Sequence, residues 1–176
     1  MTNYRQINAL AAEGLQLWGA GQLDEAADRY ARVIAALGSA TPSDWHGAYA
    51  GVLGQLGRNR ESTEQYEKAL AAELATGAAD ADAGVKVARR FLADHLTRQG
   101  EPARALEVLA PSIQALPRDW LIRTTQALAL FAVHRAAEAL AAAEAALADA
   151  PSPAKKAELT ERLGAVLAAK GNQASR

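Results

Sequence analysis

Stretches with helical character alternate with short polar turns along this chain. Alanine is abundant within the apolar stretches, and it is the residue that favours the α-helix most. We find no sustained alternation of Val, Ile, Thr and aromatic residues of the kind that indicates a β-strand. The pattern therefore predicts an all-α protein.

The turns reveal an internal repeat. Four segments have a helix stop, a short polar turn and then a helix, and the stops are Gly21, Gly57, Gly100 and His134. In each second helix the sixth residue counted from the stop is small and the tenth is larger: Ala26 and Tyr30, Ser62 and Tyr66, Ala105 and Leu109, and more weakly Ala139 and Ala143. Each first helix has a small residue seven positions before the stop and a leucine three places later: Gly14 and Leu17, Ala50 and Leu53, Ala93 and Leu96, Ala127 and Leu130. A helix-turn-helix unit therefore recurs four times.

This recurrence resembles the tetratricopeptide repeat (TPR), in which small residues at fixed positions let two antiparallel helices approach closely. The resemblance implies a right-handed α-solenoid of antiparallel helix pairs, in a single domain over residues 1–176. It places repeats at 7–42, 43–85, 86–119 and 120–153, and a capping helix at 154–171. Leu159, Leu163, Val166 and Leu167 are expected to face inward from the cap. The family's aromatic residue at the fourth position of each unit is replaced by Leu10, His46, Arg89, Arg123 and Thr160.

The resemblance also implies a concave groove, lined by the first helix of each repeat, that holds a peptide or a partner's helix. Carried over by register, the predicted partner-binding residues are Leu15, Trp18, Gly47, Gly51, Gly54, Arg90, Asp94, Arg98, Leu128 and Phe131. The lysine, asparagine and arginine clamp with which some members grip a terminal carboxylate is missing. An apolar or mixed segment is therefore the expected ligand.

The charged residues of this set lie four apart on one helical face, so Asp94 can pair with either Arg90 or Arg98 and leave the other for a partner's carboxylate or carbonyl. The alternative is a mutually paired, solvated stripe. For Trp18, Leu128 and Phe131, the alternative to binding is packing between repeats.

Composition and motifs exclude several other functions. The formal net charge of -1, with mixed acids and bases, argues against nucleic acid as a partner, and the absence of cysteine excludes disulfides and thiolate metal sites. The chain start lacks the apolar core of a signal peptide, and the segment 127–148 is too polar for membrane insertion, so a cytoplasmic protein is expected.

No catalytic or metal-binding motif is present. His46, His95 and His134 do not share ligand spacing, and neither HExxH nor GxSxG occurs. The glycines of GAYAGVLGQLG lack the lysine of a phosphate loop. Asp80 and Asp82 stand two apart like the opening of a calcium loop, but the later carboxylates do not follow, which favours a solvated surface loop. No enzymatic activity, cofactor or metal is predicted.

The sequence thus predicts a non-enzymatic protein-protein interaction adaptor or scaffold that binds a partner peptide or helix in its groove. One alternative is a self-associating structural or assembly subunit, which would form a homo-oligomer. Another is a bacterial regulatory or immunity-type protein that neutralises a partner, since the composition, rich in alanine and arginine, is compatible with a bacterium.

Overall fold

A computed structural model describes the backbone of residues 4–173 and the side chains of residues 4–169. Residues 1–3 and 174–176 of the predicted domain lie outside the described residues. The described residues form α1 (Tyr4–Gly19), α2 (Leu23–Leu37), α3 (Ser43–Gln55), α4 (Asn59–Ala75), α5 (Ala83–Arg98), α6 (Pro102–Ala115), α7 (Trp120–Ala132), α8 (Ala136–Ala148), α9 (Pro153–Arg162) and α10 (Gly164–Gln173). A 3-10 helix, Gly38–Ala40, follows α2. No strand occurs between residues 4 and 173, and the all-α prediction is confirmed.

One turn geometry joins the two helices of each of the first four pairs. After each first helix, an N–H donates to the carbonyl oxygen of the repeat's leucine five residues earlier, at 2.9 Å in every case: Gln22 to Leu17, Arg58 to Leu53, Glu101 to Leu96 and Arg135 to Leu130. This is the long bond of the Schellman motif, which requires a left-handed residue just before the donor. The four stops supply it, with φ of +77° at Gly21, +74° at Gly57, +80° at Gly100 and +60° at His134. The prediction that His134 occupies a turn position held elsewhere by glycine is confirmed.

The predicted small residues lie where the helices of a pair approach. Ala50, Ala93 and Ala127 of the first helices are fully buried, as are the small residues of the second helices, Ala26, Ser62, Ala105 and Ala139. In the second pair the Ser62 hydroxyl donates to the Ala50 carbonyl oxygen at 2.8 Å, which joins the two helices directly. In the first pair a methyl group at Gly14 would lie 3.2 Å from the Tyr30 ring, so the absence of a side chain there makes room for the aromatic. The repeat therefore works by close approach of backbones.

The chain divides into two compact units, Met1–Ala79 and Asp80–Arg176, here called the N-terminal and C-terminal units. In the N-terminal unit, α1 packs on α2, α2 on α3 and α3 on α4, and α1 also contacts α3. One core cluster surrounds Tyr30 and Leu53, and another joins Ile7, Ala11 and Val33. The first helices of its two repeats therefore lie side by side.

The C-terminal unit repeats this arrangement with α5 to α8. Helix α5 packs on α6, α6 on α7 and α7 on α8, and α5 also contacts α7. The Asp119 carboxylate accepts hydrogen bonds from the N–H groups of Leu121 and Ile122 at 3.0 Å and from Lys86 Nζ at 2.9 Å, which caps α7 and ties it to α5. Burial alone would raise the pKa of Asp119, but these bonds outweigh burial and hold the pKa below its usual range.

The segment predicted as a single capping helix, 154–171, consists of two helices, α9 and α10. The expectation of one continuous helix is wrong because helical geometry is interrupted at Leu163, immediately before Gly164, a residue with low helix propensity. The inward residues are as predicted, with Leu159, Leu163 and Val166 buried and Leu167 packed against the α7/α8 core. Residues 170 and 171 of this segment have no described side chains.

Among the described residues, no helix combines the length and apolar character needed to cross a membrane.

Candidate functional site

Five of the predicted partner-binding residues lie on α1 and α3 of the N-terminal unit, and we call this set the N-terminal face: Leu15, Trp18, Gly47, Gly51 and Gly54. Leu15 lies toward the end of α1 and is 59% exposed, so its apolar side chain is open to a partner. Gly47 is open, because a methyl group there would meet no heavy atom within 4 Å. Gly54 is partly buried.

Trp18 covers Gly51. A methyl group at Gly51 would lie 2.8 Å from Cη2 and 2.9 Å from Cζ2 of the Trp18 ring, closer than van der Waals contact permits. The indole is half-buried and also packs against the core around Tyr30 and Leu53. The bare backbone of α3 is thus occupied at Gly51 by the protein's own side chain and open one turn earlier, at Gly47.

The other five predicted residues lie on α5 and α7 of the C-terminal unit: Arg90, Asp94, Arg98, Leu128 and Phe131. Asp94 pairs with Arg98, with 3.4 Å between Oδ2 and Nη2, and with Arg162 at the end of α9, with 3.1 Å between Oδ1 and Nη2. The Asp94–Arg98 pair is one of those that the sequence predicts. The contact with Arg162 joins residues 68 apart in sequence and was not predicted.

Four residues of α5 lie on one side of the helix, and we call them the α5 stripe: Val87, Phe91, Asp94 and Arg98. Its first two side chains are apolar and exposed, Val87 at 38% and Phe91 at 41%. The Arg90 guanidinium carbon lies 4.0 Å from the centroid of the Phe91 ring, within cation–π range. The stripe is therefore apolar at Val87 and Phe91, where the Arg90 guanidinium lies on the Phe91 ring, and charged at Asp94 and Arg98.

Solved structures with the same arrangement of helix pairs are TPR proteins. The chain superposes on a structure of "MamA RS-1 ArsTM double mutant" with a TM-score of 0.68 and 15% identity, covering 97% of both chains. It superposes on YrrB, "a TPR protein with an unusual peptide-binding site", with a TM-score of 0.63 and 20% identity, covering 93% of this chain and 77% of that one. For the TPR-like repeats of a putative kinesin light chain of Podosopora anserina, the TM-score is 0.80 at 16% identity, with coverage of 99% and 91%.

The chain has a TPR-like fold.

No protein-family model matches this chain, and no curated protein matches its sequence. The fourth position of each repeat, where the family has an aromatic residue, holds a polar or charged side chain in four of the five units of this chain, and the structure shows how two of these are accommodated.

The first is His46, which is buried on α3. Its Nδ1–H donates to Oε1 of Gln65 on α4 at 2.8 Å, and Gln65 is also buried. Burial lowers the pKa of His46; the bond to Gln65 acts in the opposite direction, and the nearby Lys68 charge lowers the pKa further. The neutral imidazole thus joins the two helices where an aromatic ring would pack.

The second is Arg89 on α5, whose side chain is 10% exposed. Its Nη1 donates to the Val108 carbonyl oxygen on α6 at 3.0 Å, and its Nη2 pairs with the Asp80 carboxylate. The Asp80 carbonyl oxygen accepts a further bond from the Ser112 hydroxyl at 3.0 Å. Asp80, the first carboxylate of the calcium-loop alternative, is therefore used to fasten the segment before α5.

Leu128 and Phe131 are half-buried and pack against the core formed by α7, α8 and α10, which includes Ala127, Leu163 and Val166. This is the packing alternative considered from the sequence, and both side chains retain partial exposure.

Within residues 4–169, the His, Asp and Glu side chains form no group of three that could hold a metal ion. The N-terminal face and the α5 stripe therefore present exposed apolar surface, and the α5 stripe also presents charge.

Proposed function

We propose that this TPR-like protein is a non-enzymatic interaction adaptor that binds a partner peptide or helix through the first helices of its repeats. The observation that carries the proposal is the N-terminal face, where Leu15 is 59% exposed beside Trp18 and the backbone at Gly47 is uncovered. Tryptophan is one of the residues that contribute most to binding at protein interfaces, and Leu15 adds exposed apolar area beside it. YrrB, a TPR protein with an unusual peptide-binding site, has a similar structure and supports the same class of ligand.

The preformed surface favours binding, because few side chains must be ordered when the partner docks. Trp18 is already held against Gly51, so its rotamer freedom is reduced before a partner arrives. Gly47 lets a partner approach the α3 backbone more closely than any other residue type would. A large side chain at this position is expected to obstruct docking.

The variant Gly47→Leu tests the proposal. The Cβ of a leucine there meets no heavy atom within 4 Å and leucine favours the helix over glycine, so the fold is expected to persist while binding is lost. Random linear peptides displayed on phage are selected on the immobilised wild-type protein, and the most enriched peptide is measured by calorimetry on each variant. The matched control is Gly164→Leu, also a helical glycine with no heavy atom within 4 Å of an added methyl group.

Binding that is weakened by Gly47→Leu and unaffected by Gly164→Leu supports the N-terminal face as a site. Equal affinities for both variants would remove this face from the proposal. Failure to enrich any peptide above an uncoated control would contradict the adaptor function.

Self-association through the same face is the rival outcome. Leu15→Glu places a charge on a side chain that is 59% exposed, so it leaves the core of the N-terminal unit intact. Light scattering across a concentration series of the wild-type protein and of this variant distinguishes self-association from binding of a separate partner. A dimer that dissociates in Leu15→Glu would replace the adaptor proposal with the assembly subunit.

A further inference from the structure

The Asp94 cluster contains more positive than negative charge. Two guanidinium groups, those of Arg98 and Arg162, share one carboxylate, and the side chains of Arg98 and Arg162 are 64% and 38% exposed. Each guanidinium carries five N–H donors. When two guanidinium groups share one carboxylate, the carboxylate cannot accept hydrogen bonds from all of these donors. Both arginines therefore retain the capacity to bind a second carboxylate beside Asp94.

The exposure of the Arg162–Asp94 pair favours a ligand over a purely structural role. Asp94 lies on α5 and Arg162 at the end of α9, and the two side chains are 25% and 38% exposed. An exposed ion pair contributes about 0.2–1 kcal/mol to stability, too little to hold the cap, whose leucines are already buried. Another carboxylate can therefore replace Asp94 as the partner of Arg162.

The apolar half of the α5 stripe lies next to the charged half. Phe91 and Arg98 are seven residues apart, which corresponds to about 10 Å along the helix axis. An extended peptide covers that distance with about three residues. Val87 and Phe91 expose apolar surface at one end of this span, and the surplus positive charge lies at the other.

We propose that the α5 stripe and Arg162 bind an acidic partner segment, in which a carboxylate stands about three residues from an aromatic or aliphatic side chain. The apolar side chain packs on Val87 and Phe91, and the carboxylate is bound by Arg98 and Arg162. Asp94 then acts as an internal competitor that occupies the arginines in the absence of the partner. This inference rests on the proposed function, because it assigns the ligand class of the C-terminal unit.

The test uses the full chain and random linear peptides displayed on phage. Peptides that remain bound to the Gly47→Leu variant are selected, which directs the selection away from the N-terminal face. We expect enrichment of Asp or Glu about three residues from Phe, Leu, Ile or Trp. The most enriched peptide and its counterpart with Asn and Gln in place of Asp and Glu are then measured by calorimetry.

Four variants report on the arrangement. Arg98→Gln and Arg162→Gln are each expected to weaken binding of the acidic peptide by about two- to fivefold, and Asp94→Asn is expected to strengthen it by a similar factor. Arg135→Gln is the matched control, since it removes the same charge from an exposed ion pair with Glu138 on α8. Far-ultraviolet circular dichroism verifies that each variant is folded.

The opposite sign at Asp94 distinguishes competition from a structural role. If Asp94→Asn weakens binding or leaves it unchanged, or if the enriched peptides carry no carboxylate, the inference is overturned while the adaptor function stands. Equal losses in Arg135→Gln and Arg162→Gln would also overturn it, because they would indicate a general effect of net charge. If no peptide is enriched on the wild-type protein either, the proposed function fails together with the inference.

Discussion

Single polar residues mark the places where this chain departs from the aromatic packing of its fold. His46 and Arg89 are buried at equivalent positions of successive repeats, and each finds hydrogen-bond partners on the second helix of its own pair. A buried polar group without such partners would cost about 1–3 kcal/mol. The sequence identifies these positions through the repeat register, but it does not identify the partners Gln65 and Val108, because these depend on how the helices pack.

His46 makes the stability of the N-terminal unit depend on pH. Its folded-state pKa lies below the value of about 6.5 expected in the unfolded chain. As the pH falls through about 6.5, the unfolded chain gains a proton that the folded chain does not, so the free energy of unfolding decreases until the folded pKa is passed. We expect the midpoint of urea unfolding to fall more between about pH 7.5 and 5.5 in the wild type than in His46→Gln. His95 is present in both proteins, so equal slopes would contradict the assignment to His46.

His134 has a left-handed backbone at a turn where the other three repeats have glycine. For a residue with a side chain, this conformation costs roughly 1–2 kcal/mol, part of which is offset by the greater entropy that glycine loses on folding. His134→Gly is expected to increase the free energy of unfolding by about 0.5–1 kcal/mol in urea. Gly100→Ala is the reverse control and is expected to destabilise the C-terminal unit. If the free energy of unfolding of His134→Gly is equal to or lower than that of the wild type, the backbone at His134 is not strained.

At the scale of the element, α3 shows how far a sequence pattern predicts a surface. The spacing of its glycines predicts that Gly47 and Gly51 share one side of the helix. Sequence does not indicate that Trp18 of α1 covers one of them and leaves the other open, since this follows from the packing of α1 on α3. For the same reason the Asp94–Arg98 pair, four residues apart, was predictable, and the pair with Arg162 was not.

The two glycines are expected to respond differently to the same substitution. Gly47→Ala should stabilise the protein by about 1 kcal/mol, because alanine favours the helix and its methyl group meets open space. In Gly51→Ala the methyl group would lie 2.8 Å from Trp18, so the indole must shift and the gain is lost. Urea unfolding of the two variants measures the difference. Equal gains would mean that Trp18 does not rest on Gly51.

At the scale of the whole molecule, helix content and the repeat were predictable because they depend on local propensity and on periodic small residues. The division into two compact units was not predicted. The expectation of a single domain over residues 1–176 stays a prediction. Each unit has a hydrophobic core of its own, around Tyr30 and Leu53 in one and around Leu130 and Leu163 in the other.

Expression of residues 1–79 and 80–176 as separate chains tests that prediction. Since each segment encloses its own core, we expect both to be helical by circular dichroism and to unfold cooperatively, with the shorter segment less stable because a small chain buries a smaller fraction of its surface. Folding of both fragments would establish two independent domains. Loss of cooperative unfolding in either fragment would support the single domain.

The positions of the three tryptophans have a practical consequence for optical measurements. Trp18 rests on Gly51 and Trp45 packs on the cluster of Ile7, Ala11 and Val33, whereas the Trp120 ring on α7 has Lys155 Nζ of α9 at 5.7 Å from its centroid. Indole emission responds to nearby charge and to water. With Trp45 changed to Phe, one tryptophan therefore remains in each unit, and removal of either Trp18 or Trp120 leaves the other to report on its own site without attached dyes.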